Sequence, residues 1–361
     1  MASTPAYAAA GPVLTVDGNR QPDLARDLVR LEVEESTESL RTLTAHLLAN
    51  APRVDSSNDV VEYLDGKVLD FGKKLQVSLG PDGAEKIVFS GVISALEVTF
   101  AEGDAPIVTI YAEDELMRLR LTQRSATYLE VSDADVLRTI ASKHGLSAKP
   151  DVDGPRYDVL QQFNQSDLAF LRERAKRIQA ELWADDGALH LTTRDRRPGT
   201  SVTLTRGGDL MSVAVRADLS EQCTVVRVSG YDASSRRSID AEAGASTVDA
   251  EISGGRTGPK TLQKVFGQLP GHLIRDVPVA VAEARAFARA EMLGRSRRFV
   301  RVRGLTSGTP QLVVGSKVTL ARCGKPFDGA GYYVTRVHHT YDLREGMRTH
   351  FDAERPTVNP N

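Results

Sequence analysis

The sequence predicts a mainly β protein in which a small α/β unit lies between two β regions. Residues 1–118 and 201–361 contain short apolar, β-branched runs separated by turn signals such as Asp17-Gly18, the pattern of antiparallel strands. Residues 119–200 instead contain two segments with apolar residues at helical spacing. We therefore predict three domains: a small antiparallel β-barrel over 1–118, an α/β middle domain over 119–200, and a second β-barrel over 201–361. The second barrel is expected to contain a loop and helix insertion at about 234–295.

The first region contains seven predicted strands. Leu40–Leu48 could also form a helix, but its first half mixes Leu with Thr and it closely follows another strand, so we predict a strand. The turn signals between the strands include Asp65-Gly66 and the run from Gly80 to Gly83. The predicted strands are Val13–Val16, Leu28–Glu34, Leu40–Leu48, Leu75–Leu79, Ile87–Ile93, Glu97–Phe100 and Ile107–Ala112.

Two helices are predicted in the middle region. The run from Ser132 to Asp135 has the spacing of a capping box, and Gly145 stands where that helix would end. A second helix follows Asn164, with an apolar stripe formed by Leu168, Leu171, Ala175, Ile178 and Leu182. After Trp183 and the turn Asp185-Asp186-Gly187, a strand is predicted at Ala188–Thr193.

The last region returns to strands. Ser234–Gly258 is polar and small-residue-rich, which indicates an exposed loop or a long hairpin tip. The overlapping glycine-rich run Ser253–Lys260 lacks the Gly-Lys-Ser/Thr ending of a phosphate loop, so a flexible loop is expected there. A helix is predicted at Val279–Leu293, and the tail after Arg355 is expected to fray. The predicted strands are Val202–Leu204, Met211–Val215, Cys223–Val228, Phe299–Val302, Lys317–Leu320, Gly331–His339 and Arg348–Asp352.

Composition excludes several classes of protein. The chain has 361 residues and a net charge of −2, so no overall electrostatic attraction to nucleic acid or membrane is expected. The run Met1–Gly11 lacks the basic residues of a secretory signal, and no stretch has the ~18 apolar residues of a membrane helix. Cys223 and Cys323 have no metal-site or framework spacing, which favours a reduced intracellular compartment and leaves one disulfide open.

The run YDVLQQFNQSDLAFLR at residues 157–172 resembles the signature of phage late control D proteins and of the hub region of VgrG spike proteins. The turn and strand at 186–191 resemble the "DG-x-L-x-L" strand that follows this signature in the family. The family's first barrel is matched by Phe89–Ile93 with Glu97, and the helix after that barrel by Tyr128 with Val131–Gly145. Its second barrel is matched by Gly304, Pro310, Leu312, Gly315, Val318, Gly331–Val334, His338 or His339, Gly346 and Phe351.

The resemblance implies a structural baseplate hub of a contractile tail or a tail-like injection system. It implies a homotrimer whose six tail-tube-like barrels form a ring joining a hexameric tube to a trimeric spike. The expected partners are a separate spike protein, the tail tube protein, baseplate wedge components and a tape measure protein, with assembly in the bacterial cytoplasm. We predict no catalytic residue, cofactor or metal, and a structural role for the signature residues Gln162, Phe163, Asn164, Ser166, Asp167, Leu168, Phe170, Leu171, Arg172, Trp183, Gly187 and Leu189.

Two departures refine this resemblance. The acidic, glycine-terminated helix end of VgrG proteins is replaced here by Arg174–Ala180, which favours phage and phage-like hubs. The sequence also ends after the hub region, so the spike is expected to be a separate polypeptide.

Other interpretations of particular residues are weaker. His338 and His339 with His350 could suggest a metal site, but adjacent strand residues face opposite sides of a sheet. Asp167 and Arg172 could suggest a catalytic pair, although a carboxylate in a first helical turn suits the helix dipole. Phe163, Leu168, Phe170, Leu171 and Trp183 are expected to form the core of the middle domain.

The densest basic stretch could contact nucleic acid or an acidic partner, but a solvated helix end followed by the outward face of a strand is favoured. Its members are Arg295, Arg297, Arg298, Arg301 and Arg303.

Two other function classes remain as alternatives. A cell-wall-degrading hydrolase would need paired carboxylates in a cleft, and no acidic pair is evident in the sequence. A DNA-binding tail protein would need a positive surface, which the net charge of −2 does not favour.

Overall fold

The computed structural model describes residues 11–50, 61–81, 83–232, 235–273 and 280–359. Predictions made for Met1–Ala10, and for Asp82, Ser234, Val279 and Pro360 within longer segments, lie outside the described residues. The described residues form a mainly β structure, as the sequence predicts.

The first region forms strands at nearly every position predicted. Thr42–Leu48 is a strand, which confirms the choice made between strand and helix there. The predicted strands Ile87–Ile93 and Glu97–Phe100 are one 14-residue strand, because a bulge between Ile93 and Ala95 bends the chain without ending it. The elements are β1 (Val13–Val16), β2 (Asn19–Arg20), α1 (Pro22–Arg26), β3 (Leu28–Ser36), β4 (Thr42–Leu48), β5 (Lys74–Leu79), β6 (Lys86–Thr99) and β7 (Ile107–Glu113).

Both predicted helices of the middle region are present. Ser132 and Asp135 form the predicted capping box of the first. The second ends earlier than predicted because Gln179 adopts φ 53°, so Leu182 belongs to a strand. Two paired strands on either side of the first helix were not predicted. The elements are α2 (Leu116–Arg120), β8 (Gln123–Ser132), α3 (Asp133–Lys143), β9 (Ser147–Asp151), β10 (Arg156–Ser166), α4 (Asp167–Arg177), β11 (Ala180–Asp185) and β12 (Ala188–Thr193).

The last region is more ordered than predicted. Of the two alternatives for Ser234–Gly258, the structure favours the hairpin: Arg237–Gly244 is a strand that pairs antiparallel with Val225–Asp232, and its alternating Ile239, Ala241 and Ala243 are buried. The expected flexible segment Ser253–Lys260 contains a strand and starts a helix. The expected fraying tail pairs Thr357 with Thr257.

The strands of this region are β13 (Ser201–Thr205), β14 (Leu210–Ala217), β15 (Val225–Asp232), β16 (Arg237–Gly244), β17 (Arg256–Thr257), β18 (Pro270–Leu273), β19 (Val300–Ser307), β20 (Lys317–Ala321), β21 (Gly329–Asp342), β22 (Gly346–Arg355) and β23 (Thr357–Val358). The helices are α5 (Ala245–Asp249), α6 (Gly258–Phe266) and α7 (Val281–Arg297).

The two predicted barrels are not closed in the part of the chain that the structure describes. One 13-stranded sheet instead contains strands of both β regions, in the order β14-β19-β22-β21-β3-β4-β7-β6-β5-β1-β2, with β20 pairing β21 and β13 pairing β20. The join is the antiparallel pair β3–β21, in which Val33 lies opposite His339. Because β3 and β21 use their edges to pair with each other, their hydrogen bonds link the two β regions and do not close a barrel around either.

Separate hydrophobic clusters form on this framework. The first β region packs around Phe89 and Val108, and the last around Tyr332 and Phe351. The middle region has its own cluster, and a fourth lies between β15, β16 and α7. Single apolar residues cross between the regions, since Met347 of β22 is buried in the first cluster and Leu40 in the middle one. The regions are therefore joined by the continuous sheet, by these apolar contacts and by the polar contacts described below.

Candidate functional site

The signature run lies at the end of β10 and the start of α4. Ser166 caps the helix by accepting a hydrogen bond from the Ala169 amide at 3.2 Å. The preceding turn is irregular: the β8–β10 register shifts between Gln162 and Gln165, and Asn164 has φ 43°. Gln162 is buried on the same face of β10 as Leu160, whereas Phe163 lies on the opposite face and is 66% exposed, so the prediction that Phe163 belongs to the core is wrong.

Asp167 is the centre of a buried polar cluster, which we call the Asp167 centre. Its Oδ1 accepts a hydrogen bond from Gln162 Nε2 at 3.0 Å, and its Oδ2 contacts Arg124 Nε at 3.1 Å and His144 Nε2 at 2.8 Å. Burial alone would raise the pKa of Asp167, but the hydrogen bonds from Gln162 and His144 and the charge of Arg124 hold it below its usual range. Both carboxylate oxygens are bonded, so this group ties β8, β10, α4 and the end of α3 together.

The apolar signature residues divide between two places. Leu168, Phe170 and Leu171 are buried in the middle core, as predicted, and the Phe170 ring stacks on Tyr128 at 5.7 Å. The prediction that Trp183 belongs to this core is wrong: it is only half-buried outside the cluster, stacked on His190 at 4.7 Å and covered by the Arg197 guanidinium at 4.3 Å.

The β11–β12 turn carries the last two signature residues. Gly187 adopts φ 72° in this turn, and Leu189 is buried on β12. The "DG-x-L-x-L" segment therefore forms a tight turn followed by a core strand.

A second buried cluster was missed by the sequence analysis and lies where the three regions meet. The Glu181 carboxylate on β11 binds Arg197 Nη1 at 2.9 Å and Arg194 Nε at 3.3 Å, and it accepts a hydrogen bond from the Tyr333 hydroxyl at 2.6 Å. Tyr333 lies on β21, so Glu181 joins the middle region to the last β region. Burial and the nearby Glu181 both raise the pKa of Tyr333, which keeps the hydroxyl a hydrogen-bond donor.

The same two arginines reach other strands. Arg197 Nη2 binds Glu35 on β3 at 2.9 Å, and Glu35 also binds Arg41 Nη2 at 2.9 Å. Arg194 forms an ion pair with Glu354 on β22. Burial opposes the charge of Arg194, but Glu354 and Glu181 hold its pKa above the ordinary value. We call this network of Glu35, Arg41, Glu181, Arg194, Arg197, Tyr333 and Glu354 the ionic junction.

Three arginines within Arg194–Arg197, directly after a strand, were the only signal in the sequence for the ionic junction. Their partners lie at sequence separations that local patterns do not reveal. Next to the junction, between α4, β11, the end of α7, the ends of β3 and β22 and the middle of β21, lies a cavity of about 560 Å³ that we call the junction cleft.

The histidines of β21 and the two cysteines were the remaining candidates from the sequence for a metal site or a disulfide. His338 and His339 face opposite sides of β21, as predicted: His338 contacts Glu32 at 3.3 Å, and His339 is buried against Thr349 Oγ1 at 3.0 Å. Among the described residues, no group of three or more His, Cys, Asp or Glu side chains is placed to hold a metal ion. Cys223 and Cys323 are both free, so the open question of a disulfide is answered by two separate thiols.

The basic stretch is only partly solvated. Arg301 and Arg303 alternate with buried Val300 and Val302 on β19, as predicted. Arg297 is buried and forms an ion pair with Glu251 at 2.6 Å, so the expectation that the whole helix end is solvated is wrong for this residue. Arg298 and Arg301 share Glu221 as their partner.

None of the helices in the described part of the chain is long and apolar enough to cross a bilayer.

Comparison with solved structures shows the fold of phage tail proteins. A 43 kDa tail protein of prophage MuSo2 from Shewanella oneidensis matches 96% of this chain and 99% of its own, with TM-score 0.69 and 13% identity. A tail protein from Neisseria meningitidis MC58 matches 97% and 99%, with TM-score 0.65 and 11% identity.

A third match is an E. coli component of the type VI secretion system, described as structurally similar to T4 bacteriophage tail proteins gp27 and gp5. It covers 96% of this chain and 79% of its own, with TM-score 0.53 and 12% identity. At these identities the likeness establishes the fold alone. No match was found among curated proteins.

A sequence model of the family described as the Alg8 N-terminal domain matches residues 14–342. The chain belongs to this family. The description differs from the late control D family that the signature run resembles, so assignment to the latter remains a proposal.

Proposed function

We propose, from the fold that it shares with tail proteins, that this chain is a structural baseplate hub of a contractile tail or tail-like injection system. The observation that carries the proposal is a fold match to tail proteins over at least 96% of the chain, combined with the signature run at 157–172. The role is assembly and not catalysis, and the Asp167 and Glu181 carboxylates hold the fold together.

The proposed assembly is a homotrimeric ring. A ring of identical subunits closes heterologous interfaces without leaving an open edge. The paired strands β8 and β10 offer one such interface, because Leu129 and Val159 face each other across the pair and both are exposed, together with Phe163. Exposed apolar side chains grouped on one face are typical of a surface that another protein covers. We call Leu129, Val159 and Phe163 the hairpin face.

The ring would also need a surface that stays in contact with water, to line its channel. The centre of the large sheet offers such a surface. One face of β3, β4, β21 and β22 carries polar side chains, whereas their other face carries core residues. Such a surface suits the wall of an aqueous channel through the ring. Its members include Arg30, Glu32, Glu34, Thr42, Thr44, His46, Arg336, His338, Arg348, His350 and Asp352.

The proposed partners are a separate spike protein, the tail tube protein, baseplate wedge components and a tape measure protein. The three-domain division at 118 and 200 is part of the same proposal, with assembly in the bacterial cytoplasm. The ring would then match the hexameric symmetry of the tube to the trimeric symmetry of the spike.

The experiment that tests the proposal is the native mass of the purified chain in solution. A species of three times the 39.2 kDa monomer mass would support the ring and would justify imaging it. A strict monomer at high concentration, unchanged when the candidate spike protein is added, would contradict the hub as proposed.

A further inference from the structure

The junction cleft is a polar cavity with an excess of positive charge. Its volume of about 560 Å³ lies within the range of roughly 300–1,000 Å³ that is usual for ligand sites. Six Arg and Lys side chains line it, against four Glu side chains. This surplus favours an anionic ligand.

Most of the lining cations already have partners. Arg194 binds Glu181 and Glu354, and Arg336 binds Glu34 at 2.7 Å. The other arginines from the end of α7 are paired in the same way: Arg297 with Glu251 and Arg298 with Glu221.

Two cations on helix α4 are not neutralised by an ion pair among the described residues. Arg172 is half-buried, and its Nη2 is buried without a hydrogen-bond partner. Burial lowers the pKa of Arg172, because the nearby carboxylates Asp114 and Glu38 do not compensate fully for the loss of water. Lys176 is exposed at the same cleft.

Arg172 and Lys176 stand four positions apart on α4, so they lie on one face with Cβ atoms about 5–6 Å apart. In an extended peptide, every second side chain points the same way, at a spacing of about 7 Å. Two carboxylates at alternate positions of such a peptide would therefore meet both cations at once. Arg172 could bind one of them in the bidentate manner usual for a guanidinium.

We propose that the junction cleft binds an extended acidic peptide segment of a partner protein, with carboxylates at alternate positions that contact Arg172 and Lys176. The cleft lies where the middle region meets both β regions, so an occupant would contact all three. The proposal concerns a single subunit and does not require the ring.

The test uses the full chain and a fluorescein-labelled (Glu-Ser)4 peptide, with (Gln-Ser)4 as the uncharged probe, at low ionic strength. Fluorescence anisotropy is expected to show saturable binding of the Glu peptide alone. The double variant R172Q/K176Q should weaken it at least about tenfold, since both charge-assisted contacts are lost. K264Q, which changes an exposed lysine on α6 outside the cleft, should bind like the natural sequence.

Because Arg172 is half-buried, the double variant could disturb the core. K176Q alone changes an exposed side chain and avoids this, and it should weaken binding by several-fold. Circular dichroism would check the fold of each variant. The proposal is overturned if the natural chain does not bind the Glu peptide, if it binds the Gln peptide equally well, or if R172Q/K176Q and K264Q bind alike. Competition by a short single-stranded DNA that exceeds the Glu peptide in affinity would also overturn it, in favour of nucleic acid. The native mass is measured separately, so failure here leaves the hub proposal standing.

Discussion

Asp167 and Glu181 are both buried carboxylates, but the first stabilises one region and the second joins two, with its partner Arg197 reaching Glu35 in the third. Asp167 is bound by Gln162, Arg124 and His144, all from the middle region. Glu181 is bound by two arginines of the middle region and by Tyr333 of the last β region. Loss of Asp167 should therefore loosen one region, whereas loss of Glu181 should affect how regions are held together.

The two carboxylates also differ in the groups that lose a partner when the carboxylate is removed. Without Asp167, Gln162 is neutral and Arg124 is partly exposed to water. Without Glu181, the almost fully buried Arg197 loses one of its two carboxylate partners. A buried charge that loses its partner costs far more than a neutral or solvated one.

The largest expected effect is that of E181A. It should lower the free energy of unfolding by about 3–5 kcal/mol, because Arg194 and Arg197 remain buried with too few anions. Urea denaturation measures this, and E242A, which removes an exposed partner of Arg227, should change stability by less than about 1 kcal/mol. Equal losses in E181A and E242A would mean that the ionic junction does not hold the regions together.

D167N should have a smaller effect, about 1–3 kcal/mol at neutral pH. The folded-state pKa of Asp167 is depressed, so its contribution is present above the unfolded-state pKa near 3.8 and is lost as the pH falls through the folded-state value. The stability difference between D167N and the natural sequence should be constant above about pH 5 and shrink below about pH 4. A difference that grows with acidification in urea denaturation would contradict this assignment.

The burial of His339 should change the free energy of unfolding by an amount comparable to that of D167N, but at higher pH. Burial lowers the pKa of His339 to about 3, so the folded protein cannot take up the proton that the unfolded chain binds below pH 6.5. Between pH 6.5 and 5 this residue should cost about 2 kcal/mol of stability as the pH falls. Urea denaturation of H339Q over the same interval should show a flatter pH dependence, while D167N should keep the slope of the natural sequence.

The smallest effect on stability is expected at the hairpin face. F163S should leave the unfolding free energy nearly unchanged, because Phe163 is exposed, but it should raise the concentration at which the proposed trimer dissociates. L343S replaces a similarly exposed residue at the β21–β22 turn and is the matched control. Sedimentation analysis of both variants measures the effect, and identical association would exclude Phe163 from a subunit interface.

The sequence by itself determined the local elements of this protein. The capping box at Ser132, the Gly187 turn and the alternating apolar residues of β3, β4 and β7 require only interactions between close neighbours in the chain. The same local logic placed Leu168, Phe170 and Leu171 in a core. It failed for Phe163, because this residue lies on a strand that was not predicted, on the face opposite to buried Leu160 and Gln162.

Only the tertiary structure decided how these elements join. The β3–β21 pair and the contacts of Glu181 with Tyr333 and of Glu35 with Arg197 connect residues at least 150 positions apart. The partner of a strand edge depends on which other strand the fold brings beside it. The stability of a buried carboxylate depends on which cations the fold places around it. Neither is encoded in the residues next to it, so one continuous sheet and a buried ionic junction replaced the two separate barrels that the local patterns predicted.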